Sequence, residues 1–143
     1  MAQSMVQRST VPSLFPPPGY AHTAVVGPGT RLAFLAGGVP LDAGGGLVGP
    51  GDRVAQTRQV LANLEAALAH VGSSLPEVVA STVYVVSDEP AALSEVWDVV
   101  DASGLAEGPH TSTLLGVSCL GYTGQLVEIT VTAVVGGEAA VEG

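Results

Sequence analysis

The chain has 143 residues, enough for one domain with a sizeable core, and 47% of them are hydrophobic while only 12% are charged. Its formal net charge is −9, with four arginines and no lysine, so no basic face can be assembled to neutralise nucleic-acid phosphates or to meet an anionic membrane. That charge keeps the chain soluble, yet so large an apolar fraction must be buried, part of it against other subunits.

Residues 1–18 read as an extended N-terminal segment, ending in Phe15-Pro16-Pro17-Pro18, because three prolines forbid a helix. Residues 19–135 read as a single domain. Tyr20–Val26 and Arg31–Ala36 are expected as strands joined by the turn Gly27-Pro28-Gly29-Thr30, together a hairpin. Residues 37–51, with seven glycines and two prolines, read as a loop with a short extended piece at Val39–Leu41. Gly44-Gly45-Gly46 lacks the preceding strand, the spacing and the immediate helix of a phosphate-binding loop, so it reads as a turn.

Asp52 is the expected N-cap of a helix, whose apolar stripe is Val54, Thr57, Leu61, Leu64, Leu68 and Val71. His70 reads as a solvated residue near its end, and Gly72 closes it. Ser74-Leu75-Pro76-Glu77 has the form of a capping box. Val79–Val86 is β-branched and alternating, hence a strand. Ser87-Asp88-Glu89-Pro90 opens a second helix with core face Leu93, Val96, Trp97 and Val100, closed by Gly104. Thr111–Leu120 and Leu126–Val135 are the last strands, and residues 136–143 read as a frayed tail.

The order β-β-α-β-α-β-β gives an α+β fold, two helices covering one face of a single sheet. On the last strand, Val127, Ile129, Val131, Ala133 and Val135 fall on the helix side, and Glu128, Thr130, Thr132 and Val134 on the other. That second face is semi-polar and suits burial in an oligomer. Glu128 is an acid among β-branched residues in a chain poor in charge, which makes it the leading site residue. An interface acid paired with an arginine is the alternative.

Other residues read more plainly. Cys119 is the single cysteine, so no internal disulfide can form and a reducing, cytoplasmic compartment fits. It reads as a buried small hydrophobe. The start of the chain lacks a basic region followed by an apolar run, so no signal peptide is expected, and no stretch approaches the ~20 apolar residues of a membrane span. Trp97 reads as core or interface packing and His22 as structural. The histidine spacing argues for no metal site.

Gly19-Tyr20-Ala21-His22, then Leu35-Ala36-Gly37-Gly38-Val39-Pro40-Leu41-Asp42, Gln56-Thr57-Arg58-Gln59-Val60-Leu61-Ala62-Asn63-Leu64, Val83-Tyr84-Val85 and Val127-Glu128-Ile129 resemble, in that order, the RidA or YjgF family of reactive-intermediate deaminases. The resemblance covers about residues 19–135. It implies a chorismate-mutase-like subunit assembled as a homotrimer around a central barrel, with small-molecule clefts between subunits and no cofactor. The activity it implies is hydrolysis of small imines and enamines to a 2-keto acid and ammonia. Some members are described instead as ribonucleases or ligand-binding regulators.

Carried over position by position, the resemblance makes Glu128 the acid that orients water or the substrate nitrogen. It makes Tyr20, Gly37 and Gly38 part of the cleft. The family arginine that grips the substrate carboxylate falls at Thr111 or Ser112, neither of which makes a bidentate carboxylate contact. An asparagine common in deaminase-type members falls near Ser94. The hydroxyls of Ser112 and Thr113 then become substrate contacts, with His110, Arg31 or Arg53 as substitutes for the arginine. The expected function is a RidA-like hydrolase with altered substrate preference. The alternatives are a non-catalytic small-molecule-binding trimer, or recruitment to another reaction in a biosynthetic pathway.

Overall fold

In a computed structural model of the chain, the described residues are 6–136. Residues 1–5 of the lead-in and 137–143 of the expected tail lie outside them. Strand β1 (Val6–Ser9) pairs antiparallel with β2 (Thr23–Val26) as a two-stranded sheet. A four-stranded sheet follows from β3 (Arg31–Phe34), β4 (Val78–Val86), β5 (Thr111–Val117) and β6 (Val127–Val135), in the order β3-β6-β4-β5. Only β4 and β5 are parallel, as a strand-helix-strand crossover requires. Helix α1 (Arg53–His70) follows β3, and α2 (Pro90–Asp101) joins β4 to β5.

The expected β2–β3 hairpin does not form. The turn closes, with Thr30 N–H donating to Gly27 O at 3.2 Å, but β2 takes β1 as its partner and β3 takes β6. The lead-in supplied a competing strand that turn chemistry alone cannot reveal. Arg8 on β1 fastens that strand to the body of the fold. Its guanidinium donates to the carbonyls of Pro76 (2.9 Å), Val78 (2.9 Å), Gly108 (3.1 Å) and Pro109 (2.6 Å). His22 holds the proline segment: its Nδ1 accepts from Val11 N–H at 2.8 Å, and Nε2 faces Phe15 O at 3.1 Å.

Asp52 caps α1 as expected, accepting from the N–H groups of Val54 and Ala55. The buried stripe is shifted: Gln56 and Val60 belong to it, and Val54 is only half-buried. Gln56, Val60, Leu64 and Leu68 are the true helical repeat, and the polar Gln56 hid its start. Ser74 makes no side-chain capping bond to the short 3-10 turn Leu75–Glu77, and the neighbouring Ser73 hydroxyl donates instead to Val134 O at 2.7 Å. Helix α2 begins with Pro90 after Glu89, again without a side-chain cap. Its buried residues are Ala92, Val96 and Val100, with Leu93 and Trp97 partly buried.

One core lies between helices and sheet: Val60, Leu61, Leu64 and Leu68 of α1, Val96 and Val100 of α2, and Val83, Val85, Val127, Ile129 and Val131 of the central strands. The alternation read from β6 holds as far as Ala133, with Val127, Ile129, Val131 and Ala133 buried and Glu128, Thr130 and Thr132 half-buried, and then stops: Val134, expected on the other face with them, is buried as well. Phe34, 78% exposed, and Leu115 are large apolar side chains left open. Register puts Phe34 beside Thr132, and Leu115 beside Tyr84, which itself pairs with Glu128, so both share the face away from the helices. Cys119 is exposed, correcting the buried reading. β5 ends at Val117, two residues before it, so the alternation that would have turned it inward has stopped. No described helix is long and apolar enough to cross a membrane.

Candidate functional site

Two polar clusters carry the candidate residues. The first surrounds Glu128. The loop after β3 returns to β6 through a two-way bridge: Gly38 N–H donates to Ile129 O at 2.7 Å, and Ile129 N–H donates to Gly38 O at 3.2 Å. That bridge presses Gly37 and Gly38 against their neighbours. A Cβ on Gly37 would overlap Glu128 Oε2 and lie 2.8 Å from its Cδ, and a Cβ on Gly38 would lie 2.8 Å from Leu64 Cγ. Gly38 therefore admits no side chain against the core residues Leu64 and Val60, and a methyl at Gly37 would displace the Glu128 carboxylate. The other carboxylate oxygen, Oε1, accepts from Gln125 Nε2 at 3.0 Å.

Gln125 is held in turn. The same amide nitrogen reaches Val127 O at 3.1 Å, and its Oε1 accepts from Tyr122 N–H at 3.1 Å. Gln56, 0% exposed, braces the loop on both sides of Gln125. Its Nε2 donates to Gly124 O and Gly49 O, each at 3.1 Å, and its Oε1 accepts from Leu126 N–H at 2.7 Å. A buried amide so fully paired stabilises the loop; unpaired, it would cost about 1–3 kcal/mol per group.

The second cluster borders a cavity of about 430 Å³ lined by Pro18, Tyr20, Ser94, Trp97, Ser112, Thr113 and Leu114. That volume suits a small molecule (about 300–1,000 Å³ is usual). No lining side chain is charged at neutral pH. Tyr20 stands edge-on to Trp97, ring centroids 6.4 Å apart, and Trp97 Nε1–H donates to Pro18 O at 3.2 Å. Trp97 is thus a wall of the cavity as well as a packing residue.

Behind Ser112 runs a buried chain. Ser112 Oγ and Ser81 Oγ are 2.8 Å apart, Ser81 Oγ and His110 Nε2 2.9 Å, and His110 Nδ1 lies 3.2 Å from Gly108 O. His110 is only 1% exposed, so it touches the cavity through the two serines, not directly. Burial pushes its pKa below the usual imidazole value, opposed by the Gly108 carbonyl and aided by the Arg8 charge. Thr111 Oγ1 donates to Val79 O at 3.0 Å.

The cavity thus gathers Tyr20, Ser112 and Thr113. Gly37 sits against Glu128, with Gly38 beside it in the chain, and Glu128 is not among the cavity's lining residues. Arg53 is paired with Glu95 at 2.9 Å, and Arg31 lies at the far edge strand, β3. Sequence reading missed Ser81, Gln56, Gln125 and Arg8. Ser81 carried a signal: it is the polar member of the inward set Ser81, Val83, Val85 on β4, and a buried hydroxyl implies a partner. Among the described residues no group of three or more His, Cys, Asp or Glu side chains is arranged to hold a metal.

The sequence model of a family described as endoribonuclease L-PSP matches residues 15–135. A RutC family protein of Pyrococcus horikoshii is 44% identical over 54 residues, 38% of this chain and 43% of that protein; the aligned stretch spans less than half of that relative. Among solved structures, the Rid family protein YyfB of Yersinia pestis superposes with a TM-score of 0.84 at 33% identity, over 92% of this chain and 100% of that one. A YjgF family member of Neisseria meningitidis gives 0.63 at 25% identity, over 92% and 96%. With the family model spanning both helices and the whole four-stranded sheet, the chain belongs to the RidA/YjgF family.

Proposed function

We propose that this protein is a RidA-type hydrolase of small imines and enamines, working in clefts between the subunits of a homotrimer. The observation that carries the reading is the seat of Glu128: one carboxylate oxygen held by Gln125 and the other against a glycine at Gly37. Such an acid is oriented but not neutralised, as a group that accepts a proton from water must be. Water adds to the imine carbon while the C=N electron pair moves onto nitrogen. Glu128 takes the water's proton and returns it to nitrogen, and the carbinolamine then expels ammonia to leave the carbonyl. An enamine first takes a proton at carbon and loses one from nitrogen to become the imine.

The trimer accounts for two features of the single chain. Phe34 and Leu115 lie open on the face away from the helices, which suits apposed sheets. Glu128 and the Tyr20–Trp97 cavity are separate within one subunit, and a neighbouring subunit can bring a second wall to each. Tyr20 then shapes the cleft, the Gly37-Gly38 turn admits the substrate, and Ser112 and Thr113 hold it. Thr111 and Ser112 at the expected arginine position shift preference away from carboxylate-bearing imines.

The uncharged lining of the cavity favours a second reading, a non-catalytic small-molecule-binding trimer on the same scaffold. RNA cleavage fits least, because a chain of net charge −9 without lysine offers phosphates no basic surface. The test is release of ammonia from 2-aminoacrylate and neutral imines generated in situ, wild type against Glu128→Ala. General-base removal is expected to cost about 10²–10⁴-fold. Equal rates in both proteins, or a solution mass of a single chain, would sink the reading.

A further inference from the structure

The hydrogen-bond chain behind the cavity has a direction. Gly108 O can only accept, so His110 Nδ1, 3.2 Å away, must carry the proton. In the neutral ring Nε2 is then an acceptor and accepts a hydrogen bond from the Ser81 hydroxyl. Ser81, having donated to His110, offers only lone pairs to Ser112, so Ser112 Oγ donates to Ser81 at 2.8 Å. The hydroxyl hydrogen of Ser112 therefore points into the protein. What remains on Ser112, a lining residue of the cavity, is a lone pair.

We propose that Ser112, fixed as an acceptor by the Ser81–His110 chain, makes this cavity selective for small neutral ligands that present an N–H or O–H donor. A carboxylate brought to the same place would meet lone pair with lone pair. A free surface serine rotates its hydrogen to suit either partner; Ser112 does not, because rotation would break its bond to Ser81. The cavity is the one used in the proposed function, but this inference rests on binding alone and needs neither Glu128 nor water attack. Ser81 and His110 act through Ser112 and are positioning residues.

The groups facing His110 set when the direction reverses. They are Ser81 from β4, Gly108 O on its own loop, and the Arg8 charge from β1, itself near Glu77. When the imidazole gains a second proton, Nε2–H donates to Ser81, Ser81 to Ser112, and Ser112 then points its hydrogen into the cavity. Burial delays that step to pH values below the ordinary imidazole range.

Pyruvamide and pyruvate are a near-isosteric pair in which –NH₂ replaces –O⁻. Ligand-observed NMR titration of the intact protein at about pH 7.5 is expected to give pyruvamide a Kd at least about tenfold below that of pyruvate, a difference a hydrogen-bonding site supports. The protein's negative charge alone would also repel pyruvate, so the serine variants decide. Ser112→Ala and Ser81→Ala leave the charge unchanged and are each expected to bring the two constants within about threefold. In wild type the ratio is expected to fall as pH is lowered through the His110 ionisation, while His110→Gln shows no such fall. Equal binding of the pair by wild type, a ratio unchanged in both serine variants, or binding of neither probe at tens of millimolar overturns the proposal. Absence of hydrolysis with the ratio intact would overturn the proposed function and leave this inference standing.

Discussion

Glu128 and Ser112 present opposite solutions to placing a polar group. The acid is seated by space: a glycine at 37 leaves room for one oxygen, and a single amide from Gln125 holds the other. The serine is seated by a buried chain two residues deep that ends on a backbone carbonyl. The first arrangement holds a carboxylate by a single amide and leaves its other oxygen beside open backbone. The second removes a proton's freedom and turns an adaptable hydroxyl into a fixed acceptor. Under the proposed function and the inference above, reaction and selection call for different kinds of support, and this chain builds one of each on two sides of β4.

The strongest way to break the comparison is through Gln56, because it supports only the acid's side. Gln56→Leu leaves Gly124 O and Leu126 N–H without their partner, while Gly49 O keeps Asp52 N–H, an expected loss of about 3 kcal/mol in urea unfolding. A loss below about 1 kcal/mol would mean that the loop carrying Gln125 is braced elsewhere. Next comes Arg8, which supports only the serine's side by holding the carbonyls of Gly108 and Pro109 just before His110. Arg8→Ala is expected to cost about 2 kcal/mol, since charged hydrogen bonds are worth about 1.5–3 kcal/mol and this guanidinium is only half-buried. Arg8→Lys cannot reach four carbonyls at once and is expected to recover less than half of the loss by the same measurement.

Gly37→Ala tests the acid more gently. Its methyl meets the Glu128 carboxylate, and the carboxylate must turn off Gln125 to clear it. Hydrolysis is expected to fall about tenfold in kcat/KM, equivalent to about 1.4 kcal/mol, with a smaller change in the pyruvamide-to-pyruvate ratio. If that ratio shifts as much as the rate, the two clusters are coupled across the sheet and the comparison fails.

Periodicity made much of the fold legible. Asp52 and the apolar repeat of α1, the alternation of β4 and β6, and the outward position of Glu128 all follow from local pattern. The β1–β2 pairing did not, because Val6–Ser9 is too short and polar to stand out beside the prolines, and it depends on Arg8 reaching carbonyls 68–101 residues away. The site divided the same way. Glu128 was visible as a misfit charge and Gly37-Gly38 through the family resemblance. The Ser81–Ser112–His110 chain joins residues 29 and 31 positions apart, and it exists only because β4 and β5 pair with Ser81 opposite Ser112. No local pattern encodes that register.

The smallest expected effect sharpens the serine's side through His110 itself. Burial lowers its pKa in the folded protein, with the Arg8 charge acting the same way and Gly108 O opposing. As pH falls through the ordinary imidazole value of about 6.5, the unfolded chain takes up its proton first and the native state lags. Stability present above that value is therefore lost as pH drops, and the loss levels off once folded His110 is protonated. His110→Gln keeps a polar side chain but cannot titrate, so its stability is expected to change less over the same interval. His22 and His70 are common to both proteins and cancel in the difference. Urea midpoints at about pH 7.5 and 5.5 measure it. Parallel curves for the two proteins would mean that His110 protonates as readily inside as outside. The fold would then give the neutral imidazole no added preference, and the acceptor state of Ser112 would reverse near the ordinary imidazole value rather than below it.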